Sequence, residues 1–155
     1  MHVHRYERLW IWLGSATMIV FFVVLAGMSV AEGINPPSHI QTIDPSKVGS
    51  TPPFDHPGLR RLPDGSYEAY YVGRIFSWSP AQLTIPRGAT VTFYATSTDV
   101  VHGFAINGTD VNIEVVPGWV SSMSHTFDHP GDYLIICNQY CGAGHSSMSA
   151  HIVVQ

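Results

Sequence analysis

From Leu9 to Ala31 the chain runs for 23 residues without a charged side chain. As a helix this stretch is roughly 34 Å long, enough to cross a hydrocarbon core of about 30 Å. Trp10 and Trp12 stand at its start, where an aromatic belt meets the headgroups. Arg5 and Arg8 precede it and Glu32 follows. The positive-inside bias then sets the N-terminus in the cytoplasm and everything past residue 32 outside. His2 and His4 fall among the cytoplasmic headgroups. The competing reading is a cleaved signal peptide, and Ser29-Val30-Ala31 resembles a small-residue cleavage site. A signal core spans only about 7–15 residues. A retained single-pass anchor is therefore expected, residues 1–32 with the helix over about 9–31.

With the anchor set aside, 155 residues leave room for one further domain. Apolar residues make up 45% of the chain and charged ones 12%, the reverse of a disordered sequence. Lys and Arg number 7 against 11 Asp and Glu, a net charge of −4, which excludes a basic nucleic-acid binder. Two cysteines are too few to staple a disulfide scaffold. Nine histidines are a surplus that calls for a role.

Seven of the 11 prolines lie between residues 33 and 66. Proline removes an amide donor and fixes φ, so no regular helix or central strand is expected there. The segment reads as a semi-rigid linker, or as irregular chain laid over the next domain. From Tyr67 to Gln155 the pattern changes to short strands between turn residues. Val91, Phe93 and Ala95 alternate with polar neighbours, as do Met148, Ala150, Ile152 and Val154. Further apolar runs occupy 67–72, 82–85, 104–106, 111–115, 120–127 and 132–136. Pro86-Arg87-Gly88, Asn107-Gly108, Pro117-Gly118 and Pro130-Gly131 punctuate them. About eight short strands at near-regular spacing predict an antiparallel sandwich or barrel over 67–155.

The chemistry concentrates in Cys137-Asn138-Gln139-Tyr140-Cys141-Gly142-Ala143-Gly144-His145-Ser146-Ser147-Met148. Both cysteines are here, four apart, with a histidine four residues later and a methionine three beyond it. Thiolate, imidazole and thioether are the soft and borderline donors that select copper. A strand on either side of the loop keeps such donors fixed through a redox change. A Cys137–Cys141 disulfide suits an oxidising compartment but leaves the His and Met spacing as coincidence. A zinc site of Cys137, Cys141, His145 and a second histidine leaves Met148 unused. A mononuclear blue-copper site takes two His, one Cys and an axial Met, so one cysteine is surplus. Two copper ions bridged by two thiolates employ every donor, with the second imidazole drawn from elsewhere. His102, in Asp99-Val100-Val101-His102-Gly103-Phe104 at a strand end, is the best candidate.

The segment C-N-Q-Y-C-G-A-G-H-S-S-M, preceded by D-V-V-H-G-F and N-I-E-V-V-P-G, resembles subunit II of the haem-copper cytochrome c oxidases. Closest is the short single-helix form of the B-family oxidases. The likeness covers residues 67–155 well and the anchor in outline. It implies an all-β cupredoxin-like Greek-key sandwich or barrel behind one N-terminal transmembrane helix, and a dinuclear CuA centre. In that scheme Cys137 and Cys141 bridge both coppers, and His102 and His145 each complete one metal. Met148 is a weak axial ligand to one copper, and the backbone carbonyl of Gln139 serves the other. The common family pattern has Glu between the cysteines, where its carboxylate also binds magnesium at the subunit boundary. Here the residue is Gln139, which puts that second metal in doubt and leaves the carbonyl role intact.

The resemblance further implies a cell (plasma) membrane location with the copper domain on the outer, periplasmic side. The implied partners are cytochrome c as donor and the haem-bearing, multi-helix subunit I as acceptor, with no catalytic residue in this chain. Residues 33–155 carry 5 basic and 9 acidic side chains, and an acidic face can steer a basic cytochrome. Phe76-Ser77-Trp78 falls where the family carries an aromatic stretch near the copper. Phe76 or Trp78 is therefore a candidate electron-acceptance point, or else plain packing. Glu7 falls near a glutamate that sits at the mouth of the proton channel of subunit I in related proteins. The alternative is an interfacial charge paired with Arg5 or Arg8. His39, His56, His125, His129 and His151 fit no ligand slot, and His125 is expected to face solvent from its strand. Two rival functions remain: a membrane-tethered cupredoxin shuttle, and the CuA subunit of a nitrous oxide or nitric oxide reductase.

Overall fold

The computed structural model describes residues 4–31 and 38–155, with side-chain surroundings from residue 41 onward in the second stretch. His2, Glu32 and the side chain of His39 lie outside the described residues. The chain divides into two compact units, Met1–Asn35 and Pro36–Gln155.

The first unit is one helix, α1 (Arg5–Ala31). It begins ahead of the uncharged run because Arg5-Tyr6-Glu7-Arg8 contains nothing that stops a helix, and Glu7 lies in the first turn, where a carboxylate suits the amide end of the helix dipole. None of its residues is buried in the protein, and its middle is apolar on every side. A helix of that kind is long and apolar enough to cross a membrane. The hydroxyl of Thr17 donates to the Leu13 carbonyl at 2.9 Å, so even this polar atom is satisfied within the helix.

The second unit is a two-sheet sandwich. One sheet holds β1 (Ser38–Thr42), β9 (Trp119–Thr126), β6 (Thr90–Ser97), β3 (Tyr67–Arg74) and β2 (Gly58–Arg61) in that order, with β4 (Ser77–Ser79) also paired to β3. The other runs β5 (Gln82–Ile85), β11 (Ser149–Val154), β10 (Gly131–Ile136), β7 (His102–Ile106) and β8 (Asn112–Val115). The alternating residues meet between the sheets: Val91, Phe93 and Ala95 share one buried cluster with Ala150, Ile152 and Val154. Tyr71, Phe93 and Phe104 fill its centre, with Tyr71 and Phe104 ring centroids 4.9 Å apart.

Three sequence expectations need correction. The sheets are mixed rather than antiparallel, because β3 runs parallel to β6 and β11 parallel to β5. Alternation reports which face is buried and is silent on strand direction. Secondly, the segment drawn as a linker over 33–66 contributes strands from Ser38 on. These are β1, at one edge against β9, and β2, against β3 at the other. Between them a 3₁₀ turn, Pro45–Ser50, is capped by the Asp44 carboxylate, which accepts from the Ser46 amide at 3.0 Å. Val48 and Phe54 are buried with Tyr70, Val72 and Val120 on the outer face of the first sheet. Proline bars central strands but leaves edges and caps open, and the prolines of this segment lie outside both strands. Thirdly, His125 is only half exposed: its Nδ1 lies 2.6 Å from Asp110 Oδ1 and its ring meets Phe127 edge-on.

Three structural features converge at one end of the sandwich. β7 opens at His102, β10 ends at Ile136 just before Cys137, and the β3–β4 hairpin turns at Ile75-Phe76. The Cys137 amide donates to the Met148 carbonyl at 3.2 Å, closing the loop between β10 and β11 at its base.

Candidate metal centre

His102 is fully buried at the start of β7. Its Nε2 lies 2.9 Å from Asp99 Oδ1, and its Nδ1 lies 3.9 Å from Cys137 Sγ. Burial pushes the Asp99 carboxyl up, but hydrogen bonds from His102 and from the Ile75 and Val100 amides outweigh it and hold the group below the usual range. An ionised acceptor at Nε2 leaves the Nδ1 lone pair aimed at the cysteines. Trp78 meets the other side of the ring edge-on, with centroids 5.7 Å apart.

The loop supplies the rest. Cys137 and Cys141 are free thiols with sulfurs 3.8 Å apart. The Gln139 carbonyl oxygen lies 3.2 Å from Cys137 Sγ. His145 Nδ1 lies 3.6 Å and Met148 Sδ 3.9 Å from Cys141 Sγ. The ligand atoms of His102, Cys137 and Cys141 all fall within 4.8 Å of one another, and all three residues are buried. His145 stands one step outward in the short turn His145–Ser147, half-buried beside the ring of Tyr140. All six sequence-selected donors are thus brought to one place.

Two close approaches shape this loop. A Cβ on Gly103 would overlap Asn138 Oδ1 and stand 2.8 Å from the Gln139 amide nitrogen. Glycine lets β7 run directly beneath the first turn of the loop. On the opposite side a Cβ on Gly144 would overlap the Phe76 ring, and one on Gly142 would lie 3.0 Å from Phe76 Cε1. Phe76 is therefore half-buried as a cover on the loop, whereas Trp78, 3% exposed, sits behind His102. Trp78 cannot meet a partner protein at the surface, because β4 turns it into the core. Glu7 lies on α1, in the other unit.

The donor chemistry fits a soft metal. Burial, and then the neighbouring Cys137, pushes the Cys141 thiol up to about 11. A thiol raised in this way keeps its proton at neutral pH unless a metal cation replaces it. Gln139 directs its side-chain amide towards Glu114 Oε1, 3.4 Å away, across a polar hollow of about 220 Å³ also lined by Gly103, Asn112 and Asn138. Reading residues by type missed Asp99, Glu114 and the covering role of Phe76. Only the three-residue step from Asp99 to His102 and the glycines flanking Ala143 hinted at them.

Comparison with known proteins identifies the family. The family model for the periplasmic domain of cytochrome c oxidase subunit II matches residues 76–155. A cytochrome c oxidase subunit 2 of Thermus thermophilus is 38% identical over 154 residues, 97% of this chain and 92% of the relative. A second Thermus thermophilus sequence of the same name is 41% identical over 125 residues, 79% of this chain and 93% of the relative. Among solved structures, a chain of a haem-copper terminal oxidase dimer superposes with a TM-score of 0.79 at 27% identity, over 97% of this chain and 100% of that one. The periplasmic domain of subunit II of the Bradyrhizobium japonicum cytochrome oxidase matches over 57% of this chain and 83% of that one. Its TM-score of 0.53 at 19% identity shows the shared cupredoxin-like fold. With a family match over more than half its length and a near full-length relative, the chain belongs to the cytochrome c oxidase subunit II family, as a copper-binding, membrane-anchored subunit of an oxidoreductase complex with further oxidase subunits.

Proposed function

We propose that the chain is the electron-accepting subunit of a terminal haem-copper oxidase, taking electrons from cytochrome c at a dinuclear CuA centre and relaying them to the haem of subunit I, where oxygen is reduced to water. One observation carries this reading. Two free thiols 3.8 Å apart each have their own imidazole nitrogen within 4 Å, His102 for Cys137 and His145 for Cys141. A closed four-ligand zinc site has no use for the Met148 sulfur and the Gln139 carbonyl turned towards the same thiols. A mononuclear copper site has no use for the second thiol.

His102, Cys137, the Gln139 carbonyl, Cys141, His145 and Met148 would hold the two ions. When bound, the copper pair supplies a one-electron couple spread over both metals. The protein's part is positional. Strands fix both ends of the loop, burial excludes water from the thiols, and Asp99 fixes the His102 ring. On this reading the chain acts as a relay. Gln139 offers no carboxylate for magnesium, and the reading does not need one.

Tyr140, 79% exposed beside His145, and the exposed Ile75 next to Phe76 leave an apolar margin around the loop. This margin supports docking of cytochrome c, with Phe76 nearer the contact and Trp78 behind His102. The orientation rests on Arg5 and Arg8 ahead of the apolar helix, which favour a cytoplasmic N-terminus in the plasma membrane and a periplasmic copper domain. Mixing reduced cytochrome c with the copper-loaded full chain in detergent tests the relay. Rapid oxidation of the cytochrome is expected in the native chain and loss of it in Cys137→Ser. A native chain that holds copper yet accepts no electron contradicts the proposal. Co-purification with a multi-helix haem subunit separates it from a free-standing shuttle, and reduction of nitrous or nitric oxide in place of oxygen by that complex would favour a reductase.

A further inference from the structure

The donors come from two distant parts of the chain, His102 from β7 and the rest from the 137–148 loop. One carboxylate reaches towards both. Asp99 Oδ1 accepts from the Val100 amide at 2.7 Å and from His102 Nε2 at 2.9 Å. Its Oδ2 accepts from the Ile75 amide at 2.7 Å, 24 residues away in sequence, at the tip of the β3–β4 hairpin. The next residue, Phe76, lays its ring against Gly142 and Gly144 so closely that no side chain fits at Gly144. Gly142 and Gly144 lie between Cys141 and His145. The order of contact is therefore His102, Asp99, hairpin tip, ligand loop.

We propose that Asp99 and Phe76 form one latch that holds the two halves of the donor set in register, Asp99 fixing His102 and the hairpin tip together and Phe76 pressing the tip onto the loop. Both are positioning residues, since neither offers a donor to the metal. The purpose of the latch rests on the copper reading, whereas its geometry does not. A carboxylate suits the task because both oxygens accept. An asparagine in its place has one acceptor and one NH₂ group, so it can accept from His102 or from the Ile75 amide but not from both. The Phe76 ring needs bare backbone beneath it, which is what Gly142-Ala143-Gly144 presents.

The test uses the full chain in detergent, first without metal. In native protein the His102 ring is expected in the Nε2–H tautomer by NMR, with slow hydrogen exchange at Ile75 and through 142–145. Asp99→Asn is expected to mix the tautomers and speed exchange at both places, and Phe76→Ala to speed exchange at both while β6 stays protected. Phe76→Leu, which keeps an apolar side chain on the loop, guards against misfolding and is expected to show a smaller effect in the same direction. After copper loading, Asp99→Asn and Phe76→Ala should each release copper to a chelator about 10–100-fold faster, the usual scale for groups behind metal ligands. The double variant should be little worse than the poorer single, because the two act as one unit. Unchanged exchange at 142–145 in Asp99→Asn overturns the latch, as do release rates that multiply in the double variant. Should the native chain take up no copper pair, the copper reading fails, and the metal-free exchange still decides the latch.

Discussion

Cys141 is the residue at which the site's need for a cation is plainest. Its thiol is pushed up to about 11, chiefly by burial, above the ordinary thiol value near 9. In the metal-free protein the folded state then binds more protons than the unfolded state between about pH 9 and 11. Stability contributed by the neutral thiol is full below pH 9 and lost as pH rises towards 11. Chemical denaturation across that window should show the metal-free chain weakening with pH and the copper-loaded chain, already deprotonated at sulfur, far less so. Equal pH dependence in the two forms contradicts this. At this scale the sequence was informative where chemistry is carried by residue type: spacing alone singled out Cys137, Cys141, His145 and Met148, and a strand-end position singled out His102. It was uninformative where chemistry is carried by contact. An aspartate three residues before a histidine is an ordinary pair until a distant amide, that of Ile75, is found on its other oxygen.

At the scale of elements, the alternating strands were legible because each buries one face. Thr90–Ser97 and Ser149–Val154 lie where the alternation set them. The pairing partners were not, since β3 and β6 meet in parallel across a connection that leaves no local trace. The Pro-rich segment was obscured for a related reason: edge strands as short as Gly58–Arg61 carry no periodic signal, and Val48 and Phe54 give their apolar surface to partners remote in sequence. That second cluster lies on the outer face of the first sheet, on β3 and β9, away from the donors. Phe54→Ala should therefore destabilise the unit by about 3–5 kcal/mol, the range for a buried Phe, with the copper spectrum of the folded protein unchanged. Thermal unfolding and visible absorption of the same sample check both halves. A normal melting temperature would mean that the segment is merely draped.

For the whole molecule, the apolar excess resolves into a helix long and apolar enough to cross a membrane and the core of a sandwich, and most of the nine histidines have no part in the proposed centre. Two of these pair with carboxylates instead: His125 with Asp110 and His151 with Asp132, both at hydrogen-bond distance. Glu7, in the first turn of α1, is proposed to stand at the mouth of the proton channel of subunit I. In the assembled oxidase Glu7→Gln should slow proton uptake at unchanged copper content, and normal uptake would reduce Glu7 to an interfacial charge. The central claim, a copper pair shared between Cys137 and Cys141, is most directly tested by copper analysis and EPR on one sample of the full chain. Two coppers per chain and the multi-line hyperfine pattern of one electron shared by both nuclei are expected. One copper with the pattern of a single nucleus, or zinc alone, would contradict it.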